Sequence, residues 1–157
     1  MTLTVHIPAM AGQNARMSDC VFCEIVAGRA PADVVYVDEH TMAFLDRTPL
    51  FKGHVIVVPR AHTPTLPDLP VAQLGVFFAV VQRIAAAVPE ALDAHGTFVA
   101  LNNVVSQSVP HLHVHVVPRR RKDGLRGFFW PRQRYADALD SATHAARLRE
   151  ALGRRAP

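Results

Sequence analysis

Cysteine is scarce in this chain: 157 residues hold only Cys20 and Cys23, too few for a disulfide scaffold. None is needed at this length, because one compact domain can bury a core without covalent staples. No charge-free apolar run reaches the length that spans a membrane, so no membrane association is expected. No N-terminal stretch joins basic residues, an apolar segment and a small-residue cleavage site, and a cytoplasmic location is the resulting expectation. Internal repeats are absent. Acidic residues are in the minority, 13 against 17 basic ones for a formal charge of +4. Much of the excess lies in Arg119, Arg120, Arg121, Lys122, Arg126, Arg132 and Arg134. Such a cluster either draws small polyanions such as nucleotides or is a solvated basic loop. No recognisable nucleic-acid module accompanies it, so nucleic acid is not an expected partner.

What is present reads as α+β. Residues 1–17 follow neither the helical nor the strand period and read as a flexible extension. Residues 18–134 form the main domain, and 135–157 a C-terminal helical tail. A short helix is expected over Cys20–Ala27, capped by Ser18 or Asp19 and stopped by Gly28. Val34–Asp38 and Thr41–Asp46 read as strands of a hairpin turning at Glu39 and His40, and His54–Val58 as a third strand closed by Pro59. Pro70 opens a long helix over Val71–Val88, whose only strongly polar side chains are Gln73, Gln82 and Arg83. Such a helix is either deeply buried in a monomer or covered on two sides, by its own sheet and by a second subunit. Thr97–Leu101 and His111–Val117 complete an antiparallel five-stranded sheet, and Tyr135–Leu152 is amphipathic enough for a final helix.

The chemistry concentrates in Ser108-Val-Pro-His111-Leu-His113-Val-His115-Val-Val-Pro118. On a strand, alternation places His111, His113 and His115 on one face and Leu112, Val114 and Val116 on the other. Rings two residues apart stand roughly 6.5 to 7 Å from one another, so the three make a row and not one tight cluster. Isolated histidines, such as His6, His40, His95 and His144, are ordinary surface or core residues. Three on one face of an otherwise apolar strand pack poorly unless they serve a function. A metal-dependent hydrolase normally adds carboxylates, and here the nearest following acid is Asp123. The alternative is an imidazole nucleophile with neutral donors holding an anion, for which Gln107 and Ser108 immediately precede the row. Loop capping is the other use for those two. Cys20 and Cys23 form a lone C-x-x-C, which by itself is half a zinc site, a redox pair or two reduced thiols.

These residues resemble the histidine triad (HIT) nucleotide hydrolases and transferases, whose signature H-φ-H-φ-H-φ-φ is matched in full by residues 111–117. The resemblance runs from about Cys20 to Pro118 through Cys-Val-Phe-Cys-Glu-Ile, Asp-Glu-His-Thr-Met-Ala-Phe-Leu-Asp, Gly-His-Val-Ile-Val-Val-Pro and Gln-Ser-Val-Pro. Gly127-Phe-Phe-Trp-Pro-Arg132 looks like a trait of one bacterial branch. The resemblance implies that His113 attacks the α-phosphorus of a purine nucleotide, forming a nucleotidyl-imidazole that water then releases. It implies that His115 contacts the phosphoryl group and that His54 supports the site. Gln107 and Ser108 then hold phosphate oxygens, Asp46 binds the ribose hydroxyls, and Phe22, Ile25 and Phe44 wall the base pocket.

Bacterial members of zinc-binding type imply a structural Zn²⁺ on Cys20, Cys23, His62 and His111, and the family implies a homodimer through the apolar helix and a neighbouring strand. Two departures stand out. The loop before the triad is shortened to Asn102-Asn103-Val-Val-Ser106-Gln107, leaving open which asparagine reaches a ligand, and Arg47 replaces an apolar residue after Asp46. The expected activity is hydrolysis of a phosphoramidate or dinucleoside polyphosphate. A nucleotide-binding regulatory module with negligible turnover is the alternative from another class, and thiol redox work by Cys20 and Cys23 is a third reading.

Overall fold

A computed structural model describes residues 20–125 and 133–153. The expected caps Ser18 and Asp19, the extension 1–17 and the segment 127–132 lie outside them. The chain divides into two compact units, one ending at Asp123 and the other beginning at Gly124.

The first unit is a five-stranded antiparallel sheet with helices on its faces, the α+β class expected. In chain order it contains α1 (Val21–Val26), β1 (Val34–Val37), β2 (Thr41–Leu45), β3 (Val55–Pro59), a 3₁₀ turn (Leu66–Asp68), α2 (Val71–Leu92), β4 (Gly96–Ala100) and β5 (Val114–Arg119). The strand order is β1-β2-β3-β5-β4 with every neighbouring pair antiparallel, so β3 is the central strand and β4 is an edge.

Strand parity divides the core cleanly. Ala43, Val55, Val57, Val114 and Val116 point to one face, where Phe77, Val80, Val81 and Val88 of α2 cover them with Leu112. Met42, Phe44, Ile56 and Val58 point to the other face and pack against Cys20, Phe22 and Cys23 of the α1 region. Because β3 is buried on both faces it reads as an unbroken apolar run rather than an alternating one.

Several boundaries shift by one to three residues, with β3 including Pro59 and the last helix starting at Ala138 and not Tyr135, and three differences have a physical reason. Cys20 is not in α1 but caps it, its sulfur accepting from the Cys23 N–H at 3.5 Å, and Gly28 ends the turn at φ +72°. The helix expected to stop at Val88 runs on through Pro89 to Leu92. Proline's fixed φ is helical, so its cost is one lost hydrogen bond. Asp93 then ends the helix in the left-handed region, and the Arg120 guanidinium donates to the Leu92 and Asp93 carbonyls at 2.5 and 2.6 Å. The strand expected from His111 begins its ladder only at Val114, because the Leu112 N–H is diverted to the Thr63 carbonyl and the His111 N–H to Val109.

The expectation concerned charge-free runs, and the long apolar helix α2 contains Arg83 and Glu90. With Arg83 counted, the 22-residue α2 holds an 18-residue window of mean hydropathy 1.8, long and apolar enough to span a membrane by length and composition alone. Phe77, Val80, Val81 and Val88 on this helix are nevertheless buried against the sheet.

The second unit contains α3 (Ala138–Gly153). Asp137 accepts from the Asp140 N–H while the Asp140 carboxylate accepts from the Ala136 N–H, so two free amides at the helix start are satisfied reciprocally.

Candidate functional site

Register brings the chemistry together. Ile56 pairs with both Phe44 and His115, so all three side chains lie on the α1 face of the sheet. Two residues back along β3 puts His54 on that face, and two residues on from Phe44 does the same for Asp46, whose N–H donates to the His54 carbonyl at 2.8 Å. His113, two residues before His115, follows. The ring centroids of His113 and His115 are 4.9 Å apart, and those of His54 and His115 5.0 Å.

The hydrogen bonds fix the proton on each ring. The Nδ1–H of His113 donates to the carbonyl of His111 at 2.7 Å, leaving Nε2 with the lone pair. The Leu50 N–H donates to His54 Nδ1 at 3.3 Å, so the neutral ring carries its proton on Nε2 and donates it to His115 Nδ1 at 2.9 Å. The remaining proton of His115 therefore sits on its Nε2. Burial lowers the pKa of His54 against the opposing pull of Asp46. Burial, then His113 and His54, depress His115 to about 4. Both rings are thus neutral near pH 7. Asp46 is held by Thr48, whose N–H donates to Oδ1 at 2.8 Å, while Oδ2 stands 3.4 Å from His54 Nδ1. Leu50 and Thr48 were missed in the sequence; an Asp followed two residues later by Thr is the Asx-turn signal for the latter.

A second cluster lies beside the first. Sγ of Cys23 is 3.2 Å from His62 Nδ1 and 3.5 Å from His111 Nδ1, Sγ of Cys20 is 3.5 Å from the same His111 atom, and all four ligand atoms fall within 4.8 Å of one another. A tetrahedral zinc with bonds of about 2.3 Å to sulfur and 2.0 Å to nitrogen sets S and N about 3.5 Å apart. The donor set therefore fits that ion in kind and in spacing. A hydrogen bond orients His111 as a ligand, its Nε2–H donating to the Pro59 carbonyl at 2.8 Å, which turns the Nδ1 lone pair toward the thiols. Burial lowers its pKa to about 4, keeping the ring neutral. Burial and the neighbouring Cys20 push the Cys23 thiol up to about 12, so without a cation both proton and sulfur stay together.

The remaining expected residues divide. Phe22 and Phe44 are buried and Ile25 half-buried in one apolar cluster, with the Phe22 ring edge-on to His113 at 5.2 Å. Ser108 is exposed. Gln107 is engaged in its own loop, accepting from the Val104 N–H at 2.8 Å and donating to the Pro64 carbonyl at 2.6 Å. Asn102 donates to the Ser106 carbonyl, and Asn103 accepts from the Leu66 N–H at 2.9 Å. The shortened loop thus spends its amides on holding Val104 and Ser106 at φ +67° and +59°.

The antiparallel α+β sheet with a histidine row on one face is shared with proteins of known family. The HIT domain family model matches residues 27–122, and the chain belongs to that family. It is similar to an uncharacterized HIT-like protein of Mycobacterium tuberculosis, 43% identical over 108 residues, which are 68% of this chain and 75% of that one. An adenylylsulfatase of Arabidopsis thaliana is 33% identical over 110 residues, 69% of this chain and 56% of its own. The adenosine 5′-monophosphoramidase of Saccharomyces cerevisiae is 31% identical over 115 residues, 73% and 71%.

Among solved structures, a HIT family protein of Bacillus subtilis superposes with a TM-score of 0.77 at 31% identity over 84% of this chain and 96% of that one. A zinc-bound histidine triad family protein of Mycobacterium smegmatis gives 0.66 at 40% over 86% and 99%. Membership in a family with such relatives supports a nucleotide hydrolase.

Proposed function

We propose that the protein hydrolyses a purine nucleotide bearing a leaving group on its α-phosphate, through a covalent nucleotidyl-histidine. The observation that carries this reading is the bond from His113 Nδ1–H to the His111 carbonyl, which leaves Nε2 as the free nucleophilic atom. In the first step that lone pair forms a P–N bond as the bond from phosphorus to the leaving group breaks. The leaving group takes a proton from solvent, and the positive charge on the His113 ring is stabilised through Nδ1–H by the carbonyl. Water then attacks the same phosphorus, the P–N bond breaks, and one proton returns to solvent with release of the nucleoside monophosphate.

His115, with Nε2–H outward from its bond to His54, is the donor to a phosphoryl oxygen, and His54 is its support. Asp46, Phe22, Ile25 and Phe44 form the nucleoside side and exposed Ser108 the phosphate side, with Gln107, Asn102 and Asn103 shaping the loop that carries it. The sulfatase and phosphoramidase relatives favour an adenylyl group with a small leaving group over a dinucleoside polyphosphate. Zinc is assigned to Cys20, Cys23, His62 and His111, where it would tie α1 to the triad segment. A homodimer is assigned to the exposed side of α2, with Val71, Val76 and small Gly75 and Ala79, together with the β4 edge.

An assay with adenosine phosphoramidate tests the chemistry. The His113→Ala variant should lose at least about a thousandfold in turnover while keeping its fold. Equal rates in the two proteins would remove His113 as nucleophile, and no turnover in either would favour the regulatory module.

A further inference from the structure

Metal cluster and nucleophile are joined by two short arms. One is His111 itself: its Nδ1 faces Cys20 and Cys23 while its own carbonyl, 2.7 Å from His113 Nδ1, sets which nitrogen of His113 is free. The other is Phe22, which sits between the two cysteines in sequence. Its ring meets His113 edge-on at 5.2 Å and 75°, and also lies 6.0 Å from His111 and 5.5 Å from Phe44. Cys20 caps α1 and Cys23 lies within it, so fastening both sulfurs fixes the helix that carries this ring.

The triad segment needs that fastening because it has little ladder of its own here. His111 and His113 precede the first paired residue of β5, and the Leu112 N–H goes to the Thr63 carbonyl instead of a ladder partner. A backbone carbonyl in such a stretch is only as well aimed as the side chain that anchors it.

We infer that the Cys20, Cys23, His62 and His111 cluster is a positioning site for the His113 ring, acting through the His111 carbonyl and the Phe22 ring, so that turnover depends on metal loading. The inference rests on the proposed role of His113, and it gives Phe22 a role beyond lining a base pocket. The cluster and its neighbour Phe22 are positioning residues and do not touch the reacting atoms. A structural cluster of this kind elsewhere in the fold would affect stability alone.

The test compares protein loaded with Zn²⁺ and protein stripped by a chelator under reducing conditions, with circular dichroism to report folding. Two readouts are taken: kcat and KM for adenosine phosphoramidate, and the ¹⁵N shifts of the His113 ring, assigned by their loss in His113→Ala. Stripping should lower kcat by about tenfold to a hundredfold with little change in KM, and should move the His113 ring from one tautomer toward a mixture. Phe22→Leu, still metal-bound, should lower kcat by a smaller factor with the same partial change in the ring shifts.

A stripped, folded protein with unchanged kcat and unchanged ring shifts overturns the inference. If stripping unfolds the chain, Phe22→Leu decides, and a rise in KM with kcat and ring shifts unmoved overturns it equally. Should zinc-loaded wild type turn nothing over, the reaction itself is wrong, and the ring shifts alone still decide whether the cluster aims His113.

Discussion

His54 Nδ1 faces two partners that require opposite protonation states, the Leu50 N–H at 3.3 Å and the Asp46 carboxylate at 3.4 Å. A backbone amide can only donate, so an unprotonated Nδ1 bonds Leu50, whereas a proton on Nδ1 turns it toward Asp46. Burial makes neutral the favoured form for His54 and for His115, the latter depressed from 6.5 to about 4. Between those two values the unfolded chain binds more protons than the folded one, so this contribution to stability is complete above pH 6.5 and drains away as pH falls toward 4. The melting temperature should therefore drop from pH 7 to pH 5, and less steeply in His115→Asn. Parallel curves for the two proteins would refute that assignment.

Gly53 makes a second prediction at this scale. Its φ is +92°, and a Cβ there would stand 2.1 Å from Leu92 Cδ1. The side chain of Leu92 can swing aside, but the backbone angle cannot relax as cheaply. Gly53→Ala should cost about 1 to 2 kcal/mol in urea unfolding, with kcat retained if the loop to His54 stays in place.

Among the elements, α2 carries the heaviest share of the core. Phe77 is fully buried on it against β3 and β5 residues, and Phe77→Ala should cost about 3 to 5 kcal/mol by denaturant unfolding. Element types and order were legible in the sequence because most segments followed one period and β3, buried on both faces, stood out as a short apolar run. Ends were less so. Pro89 looks like a stop, yet the Arg120 guanidinium that finishes the helix comes from 27 and 28 residues away, beyond any local window. The triad strand likewise began late because the Thr63 carbonyl took an amide that alternation alone assigns to a ladder. Within the site, residue types singled out the row of imidazoles, while the metal cluster came from the family resemblance. The backbone groups that orient them, Pro59, Leu50 and His111 carbonyl or amide, carry no sequence signal. Gln107 was legible as a donor, but its engagement with Val104 and Pro64 arises from the shortened loop.

Within the first unit the β4 edge and one side of α2 are uncovered among the described residues, with Val71 81% and Val99 44% exposed. If those surfaces meet their copies, sedimentation should give a dimer, and Ala79→Glu should shift it to monomer without lowering the melting temperature of the monomer unit. A monomer in wild type would refute the assignment. The division of the sheet into two faces reaches further than packing. Leu112, Val114 and Val116 belong to the α2 side, and His111, His113 and His115 to the side of α1. A saturation scan across these six positions should therefore alternate: turnover dips at the odd numbers, while melting temperature dips at the even ones and again at His111, the one odd position that also fastens the metal cluster.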